Sequence, residues 1–209
     1  MIITLETLVR AASVIPVLTV GEVDKAAPLA RALKAGGLTV VEMTLRTPAA
    51  LDVLTAMKQA EPDMIIGMGT IRTPEQVAAS MRAGADFLVS PGLSPELIPA
   101  LLACGLPVLP GVATASEAMS AVEAGFEVLK FFPAEQAGGR AYLKSIAGPL
   151  PDIPFCPTGS ITREMAPDYL ALPNVVCVGG SWIATGAMIE AGDWATITAN
   201  AAAASAMKP

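Results

Sequence analysis

The sequence predicts an α/β fold of the (β/α)8 TIM-barrel type, opened by a short N-terminal helix, with residues 1–209 in a single domain. Three observations predict it. Eight apolar, strand-like runs begin at residues 14, 39, 64, 86, 107, 128, 153 and 175, at intervals of 21 to 25 residues. Helical patterns rich in alanine and leucine fill the intervals. The helix ends are marked as well. Thr47-Pro48, Thr73-Pro74 and Ser94-Pro95 place a capping hydroxyl before a first-turn proline. Gly36-Gly37, Gly84, Gly105 and Gly125 stand where helices should stop. A doubly wound open sheet has the same alternation, and the count of eight favours the barrel.

In chain order, Thr4 to Ala12 reads as the leading helix. The strands read as Val14 to Leu18, Thr39 to Met43, Met64 to Gly67, Asp86 to Val89, Pro107 to Leu109, Val128 to Phe131, Ile153 to Cys156 and Val175 to Val178. Such near-continuous apolar runs suit parallel strands buried on both faces. Helices are expected over Asp24 to Ala35, Pro48 to Gln59, Pro74 to Ala83, Pro95 to Cys104, Ser116 to Ala124, Thr162 to Ala171 and, last, Trp194 to Met207. No linker or charge run marks a domain boundary.

Composition narrows the function. The chain is 53% hydrophobic and 4% aromatic, with a net charge of −6 and no basic patch, which argues against nucleic acid. Leu97 to Ser116 and Tyr169 to Ile189 are uncharged but broken by proline and glycine, and neither reads as a membrane span. No secretory signal is visible, so a cytoplasmic location is expected. Cys104, Cys156 and Cys177 fit neither a disulfide framework nor a zinc pattern, and read as reduced core thiols. The chain has no histidine, which removes the Ser-His triad, a histidine base and every His-ligated metal site. No cluster of acids suggests an all-oxygen metal site, so neither metal nor cofactor is expected.

Lys130 lies inside the apolar run Glu127-Val128-Leu129-Lys130-Phe131-Phe132-Pro133. Period-2 alternation points it the same way as Val128 and Phe132. Burial favours the uncharged form of an amine, and an uncharged amine attacks carbonyl carbon to form a Schiff base. A snorkelling or ion-paired lysine is the plain alternative. In such barrels active sites gather at the C-terminal strand ends. There, Glu42, Thr44 and Arg46 share one side of the second strand, offering a base and a carboxylate clamp. Their alternatives are a structural partner for Lys130 and a surface arginine. Thr158-Gly159-Ser160 and Gly179-Gly180-Ser181 follow strands 7 and 8, where backbone N–H groups and a short helix N-terminus often hold phosphate. Glycines at the strand ends are read as letting a ligand approach the backbone.

Seven motifs in order carry a resemblance over nearly the whole chain. They are Glu42-Met43-Thr44-Leu45-Arg46-Thr47, Gly67-Met68-Gly69-Thr70, Ser90-Pro91-Gly92, Pro110-Gly111-Val112-Ala113-Thr114, Leu129-Lys130-Phe131-Phe132-Pro133-Ala134-Glu135, Cys156-Pro157-Thr158-Gly159 and Val178-Gly179-Gly180-Ser181-Trp182. Together they resemble the 2-keto-3-deoxy-6-phosphogluconate (KDPG) aldolase family. The resemblance implies a class I aldolase of the Entner–Doudoroff pathway, typically a homotrimer, that cleaves KDPG to pyruvate and glyceraldehyde 3-phosphate. It implies Lys130 as the Schiff-base lysine and Glu42 as the proton shuttle. Arg46, Thr70 and Pro91 would hold the pyruvyl end, with Phe132 also in the substrate site. Thr158 would bear on specificity, and Gly159, Ser160, Gly180 and Ser181 would bind phosphate. The family often has Thr-Gly-Gly where this chain has Thr158-Gly159-Ser160. Serine keeps the backbone N–H there unless the loop needs a positive φ. Alternatives are the same chemistry on 4-hydroxy-2-oxoglutarate or the galactonate epimer, a non-catalytic phosphometabolite-binding barrel, and an isomerase or epimerase using Glu42 alone.

Overall fold

The parallel strands curl about a shared inner side, which carries the polar residues of interest. A computed structural model describes residues 4–207. The strands are β1 (Val14–Leu18), β2 (Val40–Thr44), β3 (Ile65–Gly69), β4 (Leu88–Val89), β5 (Val108–Leu109), β6 (Gly111–Val112), β7 (Leu129–Phe131), β8 (Phe155–Pro157) and β9 (Val178–Gly180). The helices are α1 (Leu5–Ala11), α2 (Ala26–Ala35), α3 (Ala50–Ala60), α4 (Pro74–Arg82), α5 (Leu97–Ala103), α6 (Ala115–Ala124), α7 (Gly139–Ile146), α8 (Ala166–Leu170), α9 (Gly186–Ala191) and α10 (Trp194–Ser205). All strand pairs are parallel, in the orders β5-β4-β3-β2-β1-β9 and β6-β7-β8. The two runs meet at Pro110, between β5 and β6, and isolated bridges Phe155↔Val175 and Thr158↔Gly179 join β8 to the chain entering and at β9. No described helix is long and apolar enough to cross a membrane.

Alternation along the strands sorts the core into two layers. Val14, Leu18, Val41, Met43, Ile66, Leu129, Phe131 and Val178 pack outward against the helices. Ile15, Val40, Val89, Leu109, Val128, Cys156 and Cys177 point inward, where Phe87 and Leu8 of α1 complete a dry floor. The near-absence of large aromatics leaves this floor to branched aliphatics and one buried phenylalanine. Phe87 fits because Gly67 has no Cβ; one would lie 2.4 Å from its ring. All three cysteines are free and buried, as expected.

Several boundaries differ from the sequence reading. The fifth strand is split, because Pro110 has no N–H for a ladder bond. The last strand begins at Val178, not Val175, since Val175 and Val176 make only an isolated bridge contact with Phe155. Helix α7 starts at Gly139 behind its N-cap Gly138, both at positive φ, a start the periodicity did not mark. Thr73 caps α4 as predicted, accepting from Gln76 N with Pro74 in the first turn. Thr47 does not cap: its hydroxyl donates to the Val20 carbonyl at 2.6 Å, and α3 starts behind Ala49 without a side-chain cap. The stop at Gly125 is left-handed, φ 108, as a glycine end requires.

Candidate active site

Above the apolar floor, the inner side of the sheet turns polar. Glu42 projects from β2 and Lys130 from β7, and each is 4% exposed. They stand 88 positions apart in sequence, yet Lys130 Nζ lies 3.1 Å from Glu42 Oε1 and 3.5 Å from Oε2. Taking two such charges out of water costs several kcal/mol, which a lone pair of this kind only partly regains. Stability alone is therefore a weak reason for it. The ring of Phe132 lies 5.2 Å from Nζ, a distance suited to cation–π attraction. Thr44 sits on the same side of β2 but is already committed. Its hydroxyl donates to the Leu18 carbonyl at 2.8 Å and contacts Thr19 Oγ1 at 2.8 Å.

Three strand-end glycines make this crowding possible, and the reason differs from the ligand access expected of them. A Cβ on Gly69 would stand 2.0 Å from Glu42 Oε1. One on Gly179 would stand 2.2 Å from Thr158 Oγ1, and one on Gly111 2.3 Å from the Pro91 carbonyl. The missing side chains are filled by protein from the facing strand or loop. Sequence reasoning found the glycines but not the residues they make way for. The signal would have been their position beside Glu42, Pro91 and Thr158 on paired or bridged segments.

The rim carries the remaining predicted residues. Arg46 lies beyond the end of β2, exposed, and its Nε donates to Thr70 Oγ1 at 3.2 Å. Thr70 has φ 64, a conformation that costs a β-branched residue about 1–3 kcal/mol and clusters at functional sites. Pro91 follows Ser90, whose buried hydroxyl accepts from Gly111 N at 3.4 Å. Thr158 is buried, and its N–H donates to the Phe131 carbonyl at 2.9 Å. Gly159 has φ 116, and Ser160 has φ 58. The loop therefore does adopt positive φ at position 160, and serine occupies it. Gly180 is buried and Ser181 exposed. Beyond Ser181, after Trp182 and the buried Ile183 and Ala184, the short helix α9 begins at Gly186, capped by Thr185.

A broad depression of about 630 Å³ lies elsewhere, lined by Glu135, Arg140, Lys144, Asp168 and Leu172. Its Arg140 pairs with Asp168. Beside it, buried Tyr169 donates to Glu135, and burial, then the Glu135 hydrogen bond, push the phenol well above its ordinary pKa. That contact ties the loop after β7 to α8. Among the described residues no cluster of three or more His, Cys, Asp or Glu could hold a metal ion.

The profile described as "Aldolase: KDPG and KHG aldolase" matches residues 5–200. A 2-dehydro-3-deoxy-phosphogluconate aldolase of Pseudoalteromonas atlantica is 49% identical over 88% of this chain and 86% of its own length. A KDPG aldolase crystal structure from Legionella pneumophila, with pyruvate captured as a covalent carbinolamine, superposes with a TM-score of 0.93 at 45% identity, covering 96% of this chain and 97% of that one. The Zymomonas mobilis KDPG aldolase with 3-phosphoglycerate gives a TM-score of 0.91 at 43% identity, covering 97% and 95%. By its sequence along nearly its whole length, and by its fold, the chain belongs to the KDPG and KHG aldolase family.

Proposed function

We propose that this protein is a class I aldolase that reversibly cleaves KDPG to pyruvate and D-glyceraldehyde 3-phosphate through a Schiff base on Lys130. The observation that carries the reading is the buried 3.1 Å contact between Lys130 Nζ and Glu42 Oε1 in a chain of this family. The residue roles rest on that contact and on the rim geometry. The curled sheet is read as a closed eight-stranded barrel, with β5 and β6 the halves of one strand, and residues 1–209 as one domain.

Attack needs the free amine, and Glu42 is the base within hydrogen-bond reach. Nζ adds to the C2 carbonyl, the carbinolamine loses water, and an iminium forms. A carboxylate then removes the C4 hydroxyl proton, the C3–C4 bond breaks, and its electron pair moves into the iminium as an enamine. The aldehyde departs. Glu42 returns the proton to C3, and water releases pyruvate and regenerates the amine. Arg46 is suited to the substrate carboxylate, because Thr70 engages only its Nε and leaves the outer guanidinium nitrogens for bidentate capture. Thr70, Pro91 and Phe132 border the pyruvyl end. Thr158 bears on specificity, and Gly159, Ser160, Gly180 and Ser181 receive the phosphate through backbone N–H groups and hydroxyls.

The same steps serve 4-hydroxy-2-oxoglutarate or the galactonate epimer, and the family's description covers the former. By family likeness the working unit is read as a homotrimer in the cytoplasm. Its partners are then a phosphorylated 2-keto acid and pyruvate, with no nucleic acid, membrane or cofactor. Borohydride trapping with pyruvate, followed by peptide mapping, tests the reading. The expected result is a reduced adduct on Lys130 that is absent without pyruvate and absent in Lys130→Arg. A folded protein with no adduct would overturn it.

A further inference from the structure

Gln136, outside every motif considered so far, is joined to the loop that ends β8. Ala134 N donates to the Thr158 carbonyl at 2.8 Å and Glu135 N to the Gly159 carbonyl at 3.4 Å. This pairing brings residue 136 against residue 160, and Gln136 Nε2 donates to Ser160 Oγ at 2.9 Å. The loops are pressed together: a Cβ on Gly159 would meet Ala134 N at 3.1 Å and Pro133 Cα at 3.2 Å.

Ser160 holds φ 58, a conformation that glycine adopts without strain, so serine is here against the backbone's preference. A hydroxyl has one hydrogen to donate and two lone pairs to accept with. The amide of Gln136 occupies a lone pair. Among the described residues the Ser160 O–H donates to no other group. It is exposed at the same strand ends as Gly180 and Ser181, which the Thr158↔Gly179 bridge sets alongside.

We infer that Gln136 is a positioning residue for the phosphate end of the substrate. By donating to Ser160 Oγ it fixes that hydroxyl as a donor, so that the O–H faces the phosphate oxygens and adds a charge-assisted hydrogen bond to those from the backbone. The inference rests on the phosphate reading of the β8 and β9 loops. It makes the preference for a phosphorylated substrate depend on a side chain contributed by the β7 loop, which also carries Lys130's neighbour Phe132.

The test is the ratio of kcat/KM for KDPG to that for phosphate-free 4-hydroxy-2-oxoglutarate. It is measured for wild type, Gln136→Ala and Gln136→Glu, each also in a Ser160→Gly background. Gln136→Ala should lower the ratio about fivefold, mainly through KM for KDPG. Gln136→Glu keeps the length and can keep a contact with Ser160, but only by accepting its O–H and turning it away. The ratio should then fall at least as far as with alanine. A merely structural tie would be rescued by glutamate. In the Ser160→Gly background, Gln136→Ala should have no further effect. Rescue by glutamate, or an equal alanine effect without the serine, overturns the inference while leaving the phosphate site standing. A wild-type ratio near one, with no competition by inorganic phosphate, overturns the phosphate reading and this inference with it.

Discussion

Gly69→Ala asks whether the position of the Glu42 carboxylate, and not only its presence, drives proton transfer. Gly69 is not among the glycines with positive φ, so the backbone accepts alanine. The space does not. The new Cβ would stand 2.0 Å from Oε1, 2.6 Å from Cδ and 2.7 Å from Cγ of Glu42. Ordinary contact therefore requires the carboxylate to retreat by about 1.4 Å. Glu42 is 4% exposed and already 3.1 Å from Lys130 Nζ, so the retreat breaks that alignment. A misplacement of about 1 Å can cost about 100-fold in rate, within the range a positioned acid–base group contributes. The overpacking itself should cost about 1–3 kcal/mol of stability, which leaves the chain folded. Exchange of the pyruvate C3 protons in D2O, followed by proton NMR, isolates the step, since it needs the Schiff base and the shuttle but no aldehyde. We expect exchange about 100-fold slower while borohydride still traps pyruvate on Lys130, with Glu42→Gln showing the same split. Exchange within about threefold of wild type, on folded protein, would refute the shuttle assignment or the tightness of its seat.

Two further outcomes follow from the rim and the last helix. Thr70→Gly relieves a left-handed β-branched residue at about 1–2 kcal/mol but loosens the unfolded chain by about 0.5–1 kcal/mol. Urea melts should therefore show no net loss of stability, while the pyruvate concentration needed for half-maximal adduct rises about fivefold as Arg46 loses its hydroxyl partner. Asp193 caps α10, and the side chain of Thr196, then its backbone N–H, hold its carboxyl below the ordinary aspartate pKa. A depressed folded value makes the contribution full above the ordinary pKa and lost as pH falls through the lowered one. The stability gap between wild type and Asp193→Ala should be widest at neutral pH and should narrow in acid; a gap that widens in acid would contradict the assignment.

The parts of this molecule legible in the sequence are those written in local pattern. Apolar runs such as Val14–Leu18 are continuous because parallel strands are buried on both faces, so the strands and their spacing could be read directly. Lys130 and Glu42 stood out because a charge in such a run is unusual. Their contact was not legible, since it is made by the curl of the sheet between residues 88 positions apart. The roles of Gly69 and Gly179 were hidden for the same reason, because each glycine serves a side chain on another segment. Thr47 shows the limit of local rules at close range. It had the sequence of a cap, but the Val20 carbonyl, brought near by folding, took its hydroxyl instead. The positive φ of Thr70 and Ser160 had no local signature either, as neither residue type favours it.

The dry floor formed by Leu8, Ile15, Val40, Phe87, Val128 and Cys177 bears on traffic through the molecule. Among the described residues this cluster fills one end of the inner side of the sheet, so Lys130 and Glu42 are approached from the other, at the C-terminal strand ends. On the proposed reading, the two products of the cleavage leave toward those strand ends. The aldehyde fragment, freed toward the exit, leaves first, and the fragment still tethered to the lysine waits behind it. In the proposed reaction that order is set by the covalent tether to Lys130, while the apolar cluster closes off the space behind it.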